Sequence, residues 1–231
     1  MPIRAIVFDL DGTLADTEPL HFAAFAETLR PEGIALDRAD YFARLIGYDD
    51  RDCFATVLAE YGLSYNEEQI AALIERKAAV YGAMIAERDV LYPGAADFVR
   101  RCAERFPLML VTGTLRVEAE AILSGAGLRS LFLDIIAAED VACGKPDPEG
   151  FLAALGRLGF LLRPRPSIVA AECLAVEDTA AGIAAARAAG MRVLAFSHTA
   201  NDDALADADL TRPAIGTTDL DEVLRHFAAA L

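Results

Sequence analysis

Residues 3–14 read IRAIVFDLDGTL, a mainly apolar run that ends in two aspartates and a glycine. The run from Ile3 to Phe8 predicts a buried β-strand. Asp9 and Asp11 follow it directly, and Gly12 allows the backbone to turn tightly beside a ligand. Because open α/β sheets place their chemistry at the carboxyl ends of strands, the stretch predicts such a sheet with acids at its edge. Asp and Gly are also ordinary turn residues, so the stretch alone is equally consistent with a simple strand-to-turn boundary.

The composition indicates a globular chain. Its 231 residues are 55% hydrophobic and 25% charged, enough for one large domain or for a core with a smaller insert. The formal charge of −15 argues against nucleic acid or an anionic membrane as a partner. No apolar stretch approaches the ~18 residues of a membrane span, and acids interrupt any signal-like N-terminal region. The four scattered cysteines contain no Cys-x-x-Cys pair, which predicts free thiols and a cytoplasmic protein.

The hydrophobic pattern divides the chain into two parts. The segment after the first strand predicts amphipathic helices at Glu18–Leu29, Arg38–Ile46, Arg51–Tyr61 and Asn66–Ala86. From Tyr92 onward, strands at 108–111, 134–137, 174–176 and 193–196 alternate with helices at 94–105, 116–126, 148–156 and 180–189. Such alternation is typical of a doubly wound, mostly parallel sheet with helices on both faces. We therefore predict an α/β core formed by residues 1–16 and 89–231, and an all-helical cap formed by residues 17–88.

Two further polar groups follow the predicted strands. Thr112 and Gly113 offer a hydroxyl and backbone amides that can cradle an anion, although helix capping by Thr114 explains the same residues. Lys145 stands between a glycine and a proline, and rigid neighbours suit a fixed charge that faces a phosphate. A solvated loop lysine is the alternative. Both groups are therefore candidates that depend on the rest of the chain.

A second pair of acids, Glu177 and Asp178, follows the strand predicted at 174–176. Carboxylates with a few waters suit a hard cation. Acids also favour the first turn of a helix for electrostatic reasons alone, and a helix is predicted to begin directly after this pair. Taken by itself, this pair is a weak indication of a metal site.

Together, the aspartate pair, the hydroxyl, the lysine and the second acid pair resemble the four motifs of the haloacid dehalogenase superfamily, in the same order. The resemblance covers essentially the whole chain, with a helical cap after the first motif. The sequences DTEPLH at residues 16–21 and EDTAAG at 177–182 are similar to the subgroup of sugar-phosphate phosphatases and β-phosphoglucomutase. The dehalogenases lack an acid at the position of Asp11, so phosphoryl chemistry is favoured. The phosphonate-cleaving branch has a cap lysine where this chain offers His21.

The resemblance implies phosphoryl transfer through an aspartyl-phosphate on Asp9, with Asp11 as the general acid and base. It also implies a Mg²⁺ ion bound by the Asp9 carboxylate, the Asp11 backbone carbonyl and Asp178. Glu177 would either bind this ion directly or support one of its ligands. The oxygens of the transferring group would be held by Thr112, Gly113 and Lys145.

Three cap residues bear on the choice of substrate. Lys77 lies on an otherwise apolar helix face, where it is either a snorkelling lysine or a side chain that reaches the substrate. Lys77 and His21 are similar to cap residues of β-phosphoglucomutase. Arg51 is displaced by one residue from the phosphate-binding arginine of that enzyme, and the acids Asp49 and Asp50 precede it. Those acids disfavour a second phosphate.

We therefore predict a magnesium-dependent phosphatase of small phosphorylated metabolites, with sugar phosphates as the expected class. A phosphomutase is the closest alternative, and a non-catalytic protein that binds phosphorylated metabolites is another. The sequence does not name the substrate, because the side chains of a mobile cap select it. We expect hinges near residues 15–18 and 88–93. No heptad pattern is sustained, so a monomer is the default expectation.

Overall fold

The computed structural model describes residues 1–45, 48, 50–86, 89–163, 167–198 and 202–229. The chain divides into two compact units, one formed by Met1–Asp16 with Asp89–Leu231 and the other by Thr17–Arg88. Three predicted features lie outside the described residues, namely Ile46 at a helix end, Asp49, and Arg88 at a hinge. No helix in the described part of the chain combines the length and the apolar character that crossing a bilayer requires.

The core unit is built on a six-stranded sheet with the order β3-β2-β1-β4-β5-β6. The strands are β1 Ala5–Phe8, β2 Leu108–Val111, β3 Phe132–Ile136, β4 Cys173–Glu177, β5 Arg192–Phe196 and β6 Leu210–Arg212. Every pair of neighbouring strands is parallel, with Phe8 opposite Leu110 of β2 and Val176 of β4. The strand order reverses between β1 and β4, and this switch point is where open α/β sheets bind ligands. The predicted doubly wound parallel sheet is confirmed.

Nine α-helices are present among the described residues. The unit Thr17–Arg88 contains α1 Glu18–Leu29, α2 Arg38–Arg44, α3 Asp50–Glu60 and α4 Glu67–Ala86. The core unit contains α5 Ala95–Ala103, α6 Arg116–Gly125, α7 Glu149–Leu161, α8 Ala180–Ala188 and α9 Leu220–Ala229. Strand β6 and helix α9 were not predicted. The other predicted elements are present, with ends that shift by a few residues.

Helices cover both faces of the sheet, which explains why its central strands are apolar along their whole length. On one face, Phe151 and Leu158 of α7 and Ile183 of α8 pack in a cluster that includes Val7. On the other face, Phe8 packs edge-on against Phe98 of α5, with ring centroids 6.3 Å apart. Burial of β1 on both faces fixes the position at which Asp9 leaves the sheet.

The two chain crossings at the edge of the core unit pair with each other. Ala15 and Leu91 form an antiparallel bridge. The Asp16 amide donates to the Val90 carbonyl at 2.8 Å, and the Tyr92 amide donates to the Leu14 carbonyl at 2.9 Å. These contacts make a short two-stranded ribbon, which we call the crossing ribbon.

The unit Thr17–Arg88 has its own apolar core, in which the rings of Phe25 and Phe54 pack with centroids 5.0 Å apart.

Candidate active site

Asp9 extends the central strand by one residue. Its amide donates to the Val176 carbonyl at 2.9 Å, so the ladder between β1 and β4 continues into the site. Its side chain is buried, and Lys145 Nζ lies 2.5 Å from Asp9 Oδ1 and 2.5 Å from Glu177 Oε1. The ends of two neighbouring parallel strands thus place two acids on one ammonium group.

Asp9, Glu177 and Asp178 form a cluster of buried carboxylates whose ligand oxygens all lie within 4.8 Å of one another. Lys145 pairs with two of these acids, Asp9 and Glu177, and one ammonium group cannot balance three carboxylates, so the cluster can accept a further cation. Its donors are oxygen atoms, which Mg²⁺ prefers. Thr13 Oγ1 donates to Asp178 Oδ1 at 2.9 Å and orients that carboxylate. The donor set therefore fits the magnesium ion that the resemblance implies.

Two glycines leave the space that these carboxylates occupy. Gly12 has a φ of +82°, and a Cβ added there would lie 2.2 Å from Asp178 Oδ2. A Cβ added to Gly182, in the first turn of α8, would lie 2.0 Å from Glu177 Cδ. Any larger residue at either position would displace an acid from the cluster.

Asp11 is held by the loop that follows β2. Thr112 Oγ1 donates to Asp11 Oδ2 at 3.1 Å, and Thr114 Oγ1 donates to the same oxygen. The Thr114 amide donates to Thr112 Oγ1 at 3.0 Å, which orients the first of these hydroxyls. The capping alternative for Thr114 is wrong, because the residue before α6 is Leu115 and the first amide of the helix, that of Arg116, donates to the Glu139 carboxylate. The Thr114 hydroxyl binds a candidate catalytic acid instead.

The electrostatics of the site follow from burial. Burial raises the pKa of Asp9 to about 7, and Glu177 and Asp11 add to this rise while Lys145 opposes it. Burial alone would disfavour the charge on Lys145, but Asp9 and Glu177 raise the pKa of this lysine above its usual value. Lys145 is therefore a permanent cation. A bound metal ion would further stabilise the ionised form of the acids around it.

Thr112, Gly113 and Lys145 line one cavity of about 210 Å³ in the core unit. Cys143 and Asp147 also reach its wall, and the remaining lining is largely apolar. The cavity brings together the three residues predicted to hold phosphoryl oxygens. None of the four cysteines, all of which are described, forms a disulfide, so the prediction of free thiols is confirmed.

In the unit Thr17–Arg88, Lys77 is buried and paired. Its ammonium group lies 2.8 Å from Asp50 Oδ1 and 2.9 Å from His21 Nδ1, and only 1% of the residue is exposed. The His21 ring stacks on Tyr81, with centroids 4.2 Å apart. The alternative of a snorkelling lysine is wrong, because the charged end of Lys77 does not reach water.

Arg51, the third cap residue considered for phosphate binding, forms an ion pair with Glu67. About half of the Arg51 side chain is exposed to solvent, and the exposed fraction of the Glu67 side chain is larger. The sequence gives no indication of this partner, which lies on the next helix. Arg51 is thus already paired with a carboxylate within its own unit.

Four residues of the core site were not predicted as functional: Thr13, Thr114, Gly182 and His198. His198 follows β5, and its Nε2 lies 2.6 Å from the Gly12 carbonyl oxygen. Thr13 and Gly182 belong to motifs that the resemblance already includes, so their positions in the motifs are a usable signal. His198 stands in no motif, and its partner is 186 positions away in the chain.

Comparisons with known proteins identify relatives of this chain. A family model described as haloacid dehalogenase-like hydrolase matches residues 3–190. The chain is 35% identical to protein CbbY of Rhodobacter capsulatus over 212 residues, which cover 88% of this chain and 90% of that one. It is 32% identical to the fructose-1-phosphate phosphatase YqaB of Escherichia coli over 186 residues, which cover 80% and 92%.

A solved structure shows the same fold. CbbY from Rhodobacter sphaeroides, in complex with xylulose-(1,5)bisphosphate, matches with a TM-score of 0.79 and 30% identity. The match covers 93% of this chain and 96% of that one. The motifs, the sheet and these relatives show that the chain is an enzyme and belongs to the haloacid dehalogenase-like hydrolase family.

Proposed function

We propose that the chain is a magnesium-dependent phosphatase of small phosphorylated metabolites that works through an aspartyl-phosphate on Asp9. The observation that carries the proposal is the buried cluster of Asp9, Glu177 and Asp178 around Lys145, at the switch point of the sheet. Such a cluster can hold a cation and a phosphoryl group side by side. The Asp9 carboxylate, the Asp11 carbonyl and Asp178 would bind Mg²⁺, with Glu177 as a further ligand or a support.

Asp9 is the proposed nucleophile. Bound Mg²⁺ supplies charge neutralisation between the carboxylate and the phosphate that it attacks. An Asp9 oxygen forms a bond to phosphorus as the bond from phosphorus to the leaving oxygen breaks, which gives the aspartyl-phosphate. Water then attacks the same phosphorus, releases phosphate and restores the carboxylate. Burial keeps bulk water away from both steps.

Asp11 is the proposed proton carrier in both steps. It protonates the leaving oxygen first and takes a proton from the attacking water second. The hydroxyls of Thr112 and Thr114 both donate to its Oδ2 and fix the orientation of the carboxyl group. A fixed orientation suits Asp11, because the leaving oxygen in the first step and the attacking water in the second occupy the same position relative to its carboxyl group.

Gly113 and Lys145 are proposed to hold the phosphoryl oxygens, together with Thr112 once its hydroxyl has turned from Asp11 to the substrate. They line one cavity, and the raised pKa of Lys145 keeps its ammonium group charged at neutral pH. A fixed positive charge beside the transferring group stabilises the negative charge of the transition state. Lys145 and the proposed Mg²⁺ would together supply the local positive charge with which a chain of net charge −15 can bind an anionic substrate.

Sugar phosphates are the proposed substrate class. Two relatives support this choice by name, since YqaB is a fructose-1-phosphate phosphatase and a CbbY structure contains xylulose-(1,5)bisphosphate. His21, Lys77 and Arg51 are proposed to contact the part of the substrate that is not transferred. Lys77 is paired with Asp50 and Arg51 with Glu67, so their charges are already balanced. These pairings leave neither side chain as an uncompensated cation for a second phosphate, which argues against a phosphomutase.

Phosphate release tests the proposal. We expect wild-type protein to hydrolyse p-nitrophenyl phosphate and at least one sugar monophosphate with Mg²⁺, and to lose both activities in EDTA. Asp9→Asn keeps the size of the side chain and should abolish turnover without unfolding the protein. Wild-type rates in Asp9→Asn would contradict the aspartyl-phosphate mechanism.

Two other outcomes would favour the alternatives. Conversion of a sugar 1-phosphate to its 6-phosphate without release of phosphate would indicate a phosphomutase. Binding of sugar phosphates with no metal-dependent turnover of any ester would indicate a non-catalytic binding protein. Asp11→Asn gives a further check, because it should slow esters with poor leaving groups much more than p-nitrophenyl phosphate.

A further inference from the structure

His198 donates a hydrogen bond to the turn that carries Asp11. Its Nε2 lies 2.6 Å from the carbonyl oxygen of Gly12. A carbonyl oxygen can only accept, so Nε2 must carry the proton. Burial lowers the pKa of His198, although the bond to Gly12 and the nearby Asp16 oppose this effect. A neutral ring with its proton on Nε2 satisfies this contact fully.

Two aromatic rings fix the direction of this hydrogen bond. The Tyr92 ring stacks on His198 with centroids 4.0 Å apart and planes 23° apart. The Phe196 ring is nearly parallel to His198 as well, at 5.7 Å and 18°. Stacked rings of this kind restrict the rotation of the histidine. The donor is therefore pre-oriented toward Gly12.

Gly12 is the residue of the turn that most needs such a restraint. It has no side chain, adopts a φ of +82°, and loses much conformational freedom when it is fixed. Its amide donates to the Ala15 carbonyl at 2.8 Å, and its carbonyl accepts from His198. Both peptide groups of Gly12 are thus held, one from inside the turn and one by His198 in the segment after β5.

The restrained turn contacts the proposed metal ligands on both sides of Gly12. The preceding residue is Asp11, whose backbone carbonyl is a proposed ligand. The following residue is Thr13, whose hydroxyl donates to Asp178 at 2.9 Å. Gly12 itself approaches Asp178 so closely that a Cβ would lie 2.2 Å from Oδ2. A small rotation of the Gly12 peptide would therefore disturb two ligands together.

We propose that His198 is a positioning residue that fixes the Gly12 carbonyl and, through it, the Asp11 backbone and the Asp178 carboxylate for Mg²⁺ binding and catalysis. The inference rests on the proposed function, since the role of these ligands is part of that proposal. His198 itself touches neither the metal nor the substrate in this assignment. Its contribution is the hydrogen bond, and the stack with Tyr92 serves to aim it.

Three substitutions separate the hydrogen bond from the packing. His198→Phe keeps a stacking ring and removes the donor. His198→Gln places an amide nitrogen near the position of Nε2, and His198→Asn has the same amide on a chain shorter by a methylene group. We expect His198→Gln to retain Mg²⁺ affinity and kcat close to wild type. We expect His198→Phe and His198→Asn each to lose about tenfold in Mg²⁺ affinity and about tenfold in kcat. A tenfold loss corresponds to the upper range of the free energy that one hydrogen bond contributes.

Mg²⁺ affinity is measured by titration calorimetry, kcat and KM with p-nitrophenyl phosphate, and folding by circular dichroism and thermal denaturation. Wild-type Mg²⁺ affinity and kcat in His198→Phe would overturn the proposal. An equal loss in His198→Gln and His198→Phe would also overturn it, because a restored donor would then have recovered nothing. If His198→Phe does not fold, the comparison of His198→Gln with His198→Asn decides, and equal values in those two would refute the role of the donor.

Calorimetry keeps this test distinct from the test of the proposed function. A wild-type protein that binds Mg²⁺ but hydrolyses no phosphate ester would refute the phosphatase proposal. The Mg²⁺ affinities of the three variants would still decide whether His198 positions the site. Conversely, an active wild-type protein whose variants all bind Mg²⁺ equally well would refute only the role of His198.

Discussion

Gly182→Ala should displace the Glu177 carboxylate from the candidate metal site. The new Cβ would lie 2.0 Å from Glu177 Cδ and 2.1 Å from both carboxylate oxygens, well inside van der Waals contact. Glu177 is fully buried and is paired with Lys145 at 2.5 Å, so its carboxylate can move away only by weakening that ion pair. The substitution thus acts on the acid cluster without changing any acid.

The expected stability change is the balance of two opposing effects. Alanine is favoured over glycine within a helix by ~1 kcal/mol. Overpacking a buried site costs ~1–3 kcal/mol, and weakening a buried ion pair adds to that cost. A net loss of ~2 kcal/mol corresponds to a decrease in Tm of about 4–8 °C for a chain of this size. We also expect the Mg²⁺ concentration for half-maximal activity to rise.

Gly156→Ala is the matched control for this substitution. Gly156 lies in α7, and a Cβ added there meets no described atom within 4 Å. Helix propensity alone then applies, and Tm should rise by about 1–4 °C. Both variants are compared by thermal denaturation and by magnesium titration of the phosphatase rate. If Gly182→Ala behaves like Gly156→Ala in both assays, the confinement of Glu177 against α8 is refuted.

Three further predictions follow from the site and the cap. Asp178→Ala should raise the Mg²⁺ requirement by at least ~10-fold and His21→Ala should not; equal effects in a magnesium titration would remove Asp178 from the ligand set. In EDTA, we expect the Tm of the wild type to fall relative to the Tm of Asp9→Asn as the pH rises from 3.8 to about 7. The reason is that the folded chain keeps a proton on Asp9 that the unfolded chain has released. Parallel curves of Tm against pH for the two proteins would contradict the raised pKa of Asp9. Lys77→Ala should raise KM for a sugar phosphate more than KM for p-nitrophenyl phosphate, and equal increases would indicate a purely structural lysine.

The strands were predictable where burial imposes a continuous apolar run. β1 and β2 are fully buried, and their sequences AIVF and LMLV leave little choice of structure. β6 reads LTR and is half-buried at the edge of the sheet, so its pattern resembles that of a loop. Helix α9 carries buried Leu220, Val223 and Phe227 at helical spacing. That spacing was a usable signal, and we overlooked it.

The acid cluster was predictable because its members follow neighbouring parallel strands. Asp9 follows β1 and Asp178 follows β4, and the pairing of these strands brings the two acids together. Contacts made between distant loops carry no such rule. The hydroxyl of Thr114 has an equally good use as a helix cap, and only tertiary structure turns it toward Asp11. The contact of His198 with Gly12 depends on the path of the chain after β5.

The crossing ribbon has a consequence for how this fold can vary. Asp16 pairs with Val90 and Leu14 pairs with Tyr92. For the core unit, residues 17–89 are therefore equivalent to the loop of a β-hairpin. The entropy of closing a loop grows only slowly with its length, so the core tolerates inserts of very different size at this point. One insert can therefore replace another at the crossing ribbon while the strand order and the buried acids stay unchanged. Because the insert carries residues proposed to contact the substrate, substrate choice can then change independently of the chemistry.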